Sequence, residues 1–315
     1  MSIKNKNLLI CLTPLQMMIA SKIIDENPAI YDILCVSYND NEKYNYYFSK
    51  ISVKCKKNYR FLIKSENKLG RLYDLICMKY FVKKNIRNEY NGVFVASIDN
   101  PFIHVILSFI SKKELYTFDD GTANINKDSI YYNPVVKPFI QNIFIKFIGC
   151  IYSLDRIKME SQFHYTLYNG FENVIKNTKI LNLLKINDNV VGVNKISIFL
   201  GQPLADIKYV STEQVISFME NYKIKKYFPH PRETEKFENL DYIDSKLIFE
   251  EYVQKLILSG YVVDVYTLLS TAVLNVEHKN LNVYVVVFPE MENNYLEIYN
   301  LFNKKGFTFL KNGCF

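Results

Sequence analysis

Short apolar runs recur along the chain, each closed by a turn signal and followed by apolar positions at helical spacing. Leu8-Leu-Ile-Cys-Leu12 reads as a buried strand, and Thr13 and Pro14 supply an N-cap and a first helical residue for a helix over Leu15–Ile24. Further strands are predicted over Tyr31–Ser37, Gly92–Ala96 and Leu115–Phe118, with helices over Leu72–Lys84 and Pro101–Ser111. Continuously apolar strands alternating with helices imply an α/β fold: a mostly parallel sheet covered on both faces.

The alternation lapses between Ile125 and Asn189. This stretch holds an amphipathic segment, Pro138–Tyr152, and an aromatic, polar one, Phe163–Phe171, and is expected to connect two domains. A second series then follows: a strand over Lys195–Leu200, a helix over Ser211–Tyr222, a strand edge at Tyr227-Phe228, and the apolar run Leu247-Ile-Phe249 ahead of Glu250. A helix to Ser259, a strand over Val262–Thr267, the turn Ser270-Thr271, a strand over Val283–Phe288 and a closing helix over Asn293–Asn303 complete it. Two α/β domains, 1–189 and 190–315, with a cleft between them are the expected organisation.

Composition narrows the class. The chain has 315 residues, 49% of them hydrophobic, which excludes disorder, and its 10 Gly and 9 Pro imply short loops. No run of about 18 apolar residues exists, since Gln141, Asn142 and Lys146 interrupt the stretch Phe139–Leu154, so no membrane span is expected. The stretch after Lys4 and Lys6 is too short for a signal sequence. Six scattered cysteines without a Cys-x-x-Cys pair read as reduced core thiols of a cytoplasmic protein, and four dispersed histidines give no zinc spacing, so no metal site is expected. The net charge of +7 suits an anionic substrate, an anionic membrane face or nucleic acid. The last is set aside because no basic block interleaved with aromatics is present.

In open parallel sheets ligands bind beyond the carboxyl ends of strands, so polar residues that close strands are the candidates. His230, between two prolines and beside Arg232, is a fixed imidazole suited to act as an acid or a phosphate-oxygen donor; otherwise it is a turn histidine. Asp119 and Asp120 close a strand before Gly121, and one of them is a base, a sugar-hydroxyl acceptor or a turn cap. Asp206 follows the turn Gly201-Gln-Pro203 and either faces a ligand or caps the next helix. Ser270 and Thr271, at a loop-to-helix junction, offer hydroxyls and amides to an anion or serve as a plain cap. Glu250, after an apolar run, is placed to accept from both hydroxyls of a ribose. Asp40-Asn-Glu42 reads as a solvated turn.

Leu12-Thr-Pro-Leu-Gln16, Asn41-Glu-Lys-Tyr44, Tyr46-Tyr-Phe48, Thr117-Phe-Asp-Asp-Gly-Thr122 with Asn124, Leu200-Gly-Gln-Pro203, Phe228-Pro-His-Pro-Arg-Glu233 and Val265-Tyr-Thr267 with Ser270 stand in a specific order. Together they resemble the bacterial sialyltransferases of glycosyltransferase family 52, nearly from end to end. The resemblance implies a GT-B-type fold of two Rossmann-like domains facing a central cleft, the first on the acceptor side and the second binding the nucleotide sugar. It implies inverting transfer of sialic acid from CMP-sialic acid (CMP-Neu5Ac) to a terminal galactose of lipooligosaccharide or capsule, with α-2,3 linkage and no obligatory metal or other cofactor. By the same resemblance His230 is the general acid, Ser270 and Thr271 hold the phosphate, and Glu250 holds the ribose. Gly201, Pro231 and Arg232 shape the nucleotide pocket. The base is Asp206, with Asp120 as its rival. Two other readings are a glycosyltransferase using a UDP-sugar on the same scaffold, and a nucleotide- or glycan-binding protein without catalysis. The segment Pro138–Tyr152 is open to two further roles: a homodimer contact, or a peripheral contact with the inner membrane face through Lys137, Lys146 and its apolar side.

Overall fold

The structure is a computed structural model that describes residues 6–86, 89–135, 139–184, 189–204, 207–233, 236–238 and 240–311. The chain divides into two compact units, Met1–Leu183 and Leu184–Phe315, each built on a parallel sheet.

The first unit runs β1 (Lys6–Cys11), α1 (Pro14–Glu26), β2 (Ile30–Ser37), α2 (Glu42–Ser52), β3 (Lys57–Leu62), α3 (Lys68–Asn85), β4 (Glu89–Val95), α4 (Pro101–Phe109) and β5 (Ser111–Phe118). It continues with α5 (Phe139–Phe147), α6 (Leu154–Glu160), β6 (Ser161–Thr166) and β7 (Thr178–Ile180). Its sheet has the order β3-β2-β1-β4-β5-β6-β7. The central strands are apolar throughout because both faces are covered: Leu8 to Cys11 and Ile33 to Val36 are buried without a break. Thr13 starts α1 as expected, its side chain accepting the Gln16 N–H, with Pro14 as the first helical residue.

The second unit runs β8 (Asn194–Leu200), α7 (Thr212–Asn221), β9 (Lys226–Phe228), β10 (Asp241–Tyr242), α8 (Phe249–Leu258), β11 (Tyr261–Thr267), β12 (Leu281–Val287), α9 (Leu296–Lys304) and β13 (Thr308–Lys311). Its sheet has the order β10-β9-β8-β11-β12-β13. A reciprocal capping box between Ser211 and Gln214 fixes the start of α7.

Several expectations need correction. The stretch Ile125–Asn189 is not merely a connection, for β6 and β7 extend the first sheet and α5 and α6 pack beside it. The strand β6 escapes an apolarity count because it reads Ser-Gln-Phe-His-Tyr-Thr, and its buried His164 is satisfied by Thr117 on β5 and Asp119 just past it. Asp40-Asn-Glu42 is exposed as expected but leads into a helix, with Asn41 as the side-chain N-cap of α2 and Glu42 its first residue. Leu247-Ile-Phe249 is no strand: Ile248 is the N-cap of α8 and Phe249 its first residue. Not all thiols are core groups either, since Cys55 and Cys77 are half-buried; the five cysteines among the described residues are unpaired.

Both strand orders reverse direction from their first strand, between β1 and β4 in one unit and between β8 and β11 in the other. At such a reversal the loops leaving the two strands run in opposite directions, and the carboxyl edge there is where doubly wound sheets take ligands.

Candidate active site at the strand ends

At the first reversal point a glutamine bridges the two diverging loops. Gln16, wholly buried in the first turn of α1, accepts the Leu12 N–H through Oε1 at 2.6 Å. Its Nε2 donates to Ser97 Oγ at 2.8 Å and to Asp120 Oδ1 at 2.7 Å. Ser97, just past β4, donates in turn to Asp120 Oδ2 at 2.6 Å and holds a left-handed backbone with φ 48°. That conformation is costly for a residue with a side chain, and such strain concentrates at functional sites. Asp120 is thus a half-buried carboxylate clamped by one donor on each oxygen. Burial pushes its carboxyl above the usual range, the Ser97 and Gln16 donors pull it back, and the neighbouring Asp99 and Asp119 charges push it up again.

Asp119 does different work. Its Oδ1 lies 2.8 Å from His164 Nε2 and its Oδ2 accepts the Leu167 N–H at 2.6 Å, with both side chains wholly buried. The other ring nitrogen of His164 meets Thr117 Oγ1 at 2.9 Å. The pair therefore locks β5 to β6 and fixes the loop from which Asp120 projects.

The second reversal point has a similar bridge. Gln202, after β8, accepts the Leu269 N–H through Oε1 at 2.8 Å, joining the loop after β8 to that after β11. Gly201 is buried against Tyr227, where a Cβ would stand 2.3 Å from the hydroxyl oxygen, so only glycine fits. The Tyr227 hydroxyl donates to Glu233 Oε1 and the His230 N–H donates to Glu233 Oε2, each at 2.6 Å. The Gln202 backbone N–H also donates to this carboxylate, which burial nonetheless pushes above the usual range. Arg232 donates its backbone N–H to His230 Nδ1 at 3.1 Å. In the neutral ring the proton then sits on Nε2, so that nitrogen is the one set to donate.

The structure brings His230, Gly201 and the Gln202 bridge together at the ends of β8 and β9, while Pro231 and Arg232 are exposed beside them. Ser270 is half-buried; its N–H donates to Thr267 Oγ1 at 3.2 Å, and its hydroxyl makes no capping bond. Thr271 opens a short 3-10 turn to Asn275. Glu250 does not end a strand; it is buried in the first turn of α8, and its Oε1 accepts from Asn275 Nδ2 at 2.7 Å, bracing that turn. Asp206 lies outside the described residues. Sequence reasoning assigned no role to Gln16, Ser97, Gln202 or Glu233. Gln16 and Gln202 stand inside strand-end motifs and Ser97 follows a predicted strand, so the strand-end rule reaches these three once side-chain amides and hydroxyls are counted, whereas Glu233 sits in a turn that gives no such signal.

Two doubly wound parallel sheets, each with polar groups gathered at its reversal point, make this a protein of the GT-B type, with two Rossmann-like domains. Among solved structures, UDP-GlcNAc 2-epimerase from Neisseria meningitidis bound to UDP-GlcNAc shares the fold, with a TM-score of 0.53 at 10% identity over 89% of this chain and 82% of that one. The glycotransferase of kitacinnamycin shares it with a TM-score of 0.51 at 6% identity, over 98% and 86%. Residues 30–289 match the model of glycosyltransferase family 52, and the chain belongs to that family. A CMP-N-acetylneuraminate:beta-galactoside alpha-2,3-sialyltransferase of Pasteurella multocida is 32% identical over 95% of this chain and 97% of its own length. An N-acetyllactosaminide alpha-2,3-sialyltransferase of Haemophilus influenzae is 30% identical, over 88% and 90%.

Proposed function

We propose that this chain is an inverting sialyltransferase that moves sialic acid from CMP-Neu5Ac to the 3-hydroxyl of a terminal galactose on a cell-surface glycan. The observation that carries this reading is the 32% identity, over nearly the whole of both chains, with the Pasteurella multocida alpha-2,3-sialyltransferase. The local chemistry agrees with it. Breaking the anomeric bond leaves positive charge on the sugar and negative charge on the CMP phosphate, so a proton donor and polar hydrogens at the phosphate lower the barrier. His230 fills the first role through Nε2, and the Ser270 and Thr271 hydroxyls with nearby amides fill the second. Gly201, Pro231 and Arg232 shape the nucleotide pocket, and Glu250 serves the ribose. A carboxylate on the opposite face of the sugar takes the proton of the attacking hydroxyl, which gives inversion. Asp206 and Asp120 compete for that role, and the raised carboxyl of Asp120 makes it a stronger proton acceptor than an ordinary aspartate. The charge handling rests on protein groups and has no metal step. The cytoplasm, where unpaired thiols persist, is the compartment we assign.

The deciding experiment incubates the chain with CMP-Neu5Ac and lactose and resolves the linkage of the product. Formation of the α-2,3 sialoside supports the assignment; turnover with a UDP-sugar instead, and thermal stabilisation by UDP but not CMP, would sink it in favour of another transferase. Stabilisation by CMP with no product would mark a binding protein. His230→Ala should lose transfer while keeping CMP binding. Of Asp206→Asn and Asp120→Asn, the one that loses turnover with CMP binding intact identifies the base.

A further inference from the structure

An asparagine followed by glycine is open to attack on its own side-chain amide, because the glycine nitrogen has no neighbouring side chain to block the approach. The chain holds three such pairs, Asn91-Gly92, Asn169-Gly170 and Asn312-Gly313, the last outside the described residues. The first two both read Tyr-Asn-Gly, so their local chemistry is the same, and the fold alone separates them. Asn91 and Gly92 lie within β4; Gly92 is buried, and its N–H donates to Asn7 Oδ1 at 3.0 Å. Reaction there first requires the strand to open. Asn169 and Gly170 are both exposed, in the loop between β6 and β7. Gly170 has a left-handed backbone, φ 79°, and a Cβ added to it would meet nothing within 4 Å. The turn is closed by the Phe171 N–H to the Tyr168 carbonyl at 3.5 Å, the long end of a hydrogen bond. Among the described residues neither the Asn169 side chain nor the Gly170 N–H has a hydrogen-bond partner.

The reaction at this turn consumes water alone. The Gly170 nitrogen, having lost its proton to hydroxide, attacks Asn169 Cγ. The N–Cγ bond forms, the Cγ–Nδ2 bond breaks, and ammonia leaves with a proton taken from water, which restores the hydroxide. Water then opens the cyclic imide. Breaking the new N–Cγ bond gives aspartate; breaking the bond from that nitrogen to the Asn169 main-chain carbonyl carbon gives isoaspartate, with a longer main chain. Either product adds a negative charge, but only isoaspartate changes the course of the backbone. That backbone matters to the fold, because Leu167, just ahead of the turn, donates its N–H to the buried Asp119 Oδ2 at 2.6 Å, and the Tyr168 N–H donates to Thr166 Oγ1 at 3.1 Å.

We infer that Asn169 is a site of spontaneous deamidation and that its isoaspartate product loosens the loop that holds Asp119. The inference is independent of the reaction assigned above. It is tested by ageing the full folded chain in neutral and mildly alkaline buffers. Peptide mass mapping then reads the exchange of –NH2 for –OH, and isoaspartyl methyltransferase with labelled S-adenosylmethionine reads isoaspartate. Asn169 converts at least about tenfold faster than Asn91, faster still as pH rises, and yields isoaspartate along with aspartate. In urea, where the strand no longer shields Asn91, the two sites converge on one rate. Hydroxylamine, which cleaves the cyclic imide, cuts the ageing chain after residue 169, and Asn169→Ser abolishes the cut. The deamidated fraction, isolated by ion exchange, melts below the Asn169→Asp chain, which carries the charge without the longer main chain. Equal rates at Asn169 and Asn91 in the folded chain, or conversion without isoaspartate, overturns the site. A deamidated fraction that melts together with the Asn169→Asp chain overturns the effect on the loop.

Discussion

Glu233 and His230 are joined through the backbone: the His230 N–H donates to Glu233 Oε2 at 2.6 Å. The opposite oxygen takes the Tyr227 hydroxyl at the same distance, and the Gln202 backbone N–H adds a third donor. One carboxylate therefore holds the loop after β9 against the loop after β8 and aims the imidazole without touching it. Glu233 is a positioning residue for the proposed acid.

Replacing it tests that role. Glu233→Gln puts an amide group against donors, so the loop shifts; kcat for sialyl transfer should fall roughly tenfold to a hundredfold, with a smaller change in KM for CMP-Neu5Ac. Glu233→Asp should recover part of the loss. Steady-state kinetics alongside thermal melts separate this from plain destabilisation, and an unchanged kcat would remove Glu233 from the site.

Titration of Asp120 offers a second check. Its folded carboxyl is raised, so the folded state holds the proton more tightly than the unfolded chain does. Its contribution to stability is thus fully present below the ordinary value of about 3.9 and is lost as pH rises through the folded value. If Asp120 is the base, the acid limb of kcat/KM lies above that ordinary value, and Ser97→Ala, by removing a donor to the carboxylate, moves the limb higher still. A limb that Ser97→Ala leaves in place would point to Asp206.

Gly201→Ala should be felt in the fold itself. The new Cβ meets Tyr227 at 2.3 Å from the hydroxyl oxygen and 2.5 Å from the ring carbon that bears it. Overpacking of this kind costs about 1–3 kcal/mol, read as a lower denaturant midpoint with an unchanged slope.

The pair Asp119 and His164 predicts a larger loss. His164→Leu would leave a wholly buried carboxylate with the Leu167 N–H as its remaining partner among the bonds described above. Breaking a buried pair on one side costs about 3–5 kcal/mol. A variant as stable as the parent in urea would show that the pair is dispensable to the β5 and β6 junction.

Legibility in the sequence followed burial. The strands β1, β2, β8, β11 and β12 stood out because helices cover both faces and leave little place for polar residues. The edge strands β3, β7, β10 and β13 did not, because half-exposed strands carry Lys, Asn and Asp and look like loops. His230 was within reach as a polar residue closing a strand. Glu233 was not, since a glutamate in a surface turn looks solvated until the fold sets Tyr227 and Gln202 against it.

By itself, then, the order of apolar runs and turn residues determined two doubly wound sheets, the strand ends where chemistry gathers, and the family whose motifs recur there. Tertiary structure alone decided which polar side chains meet. The clamp of Gln16 and Ser97 on Asp120 spans 104 and 23 positions of chain, and the Gln202 link to Leu269 spans 67. Such contacts have no local signature, because a hydrogen bond depends on distance and angle in space, and those are set by how the strands lie side by side.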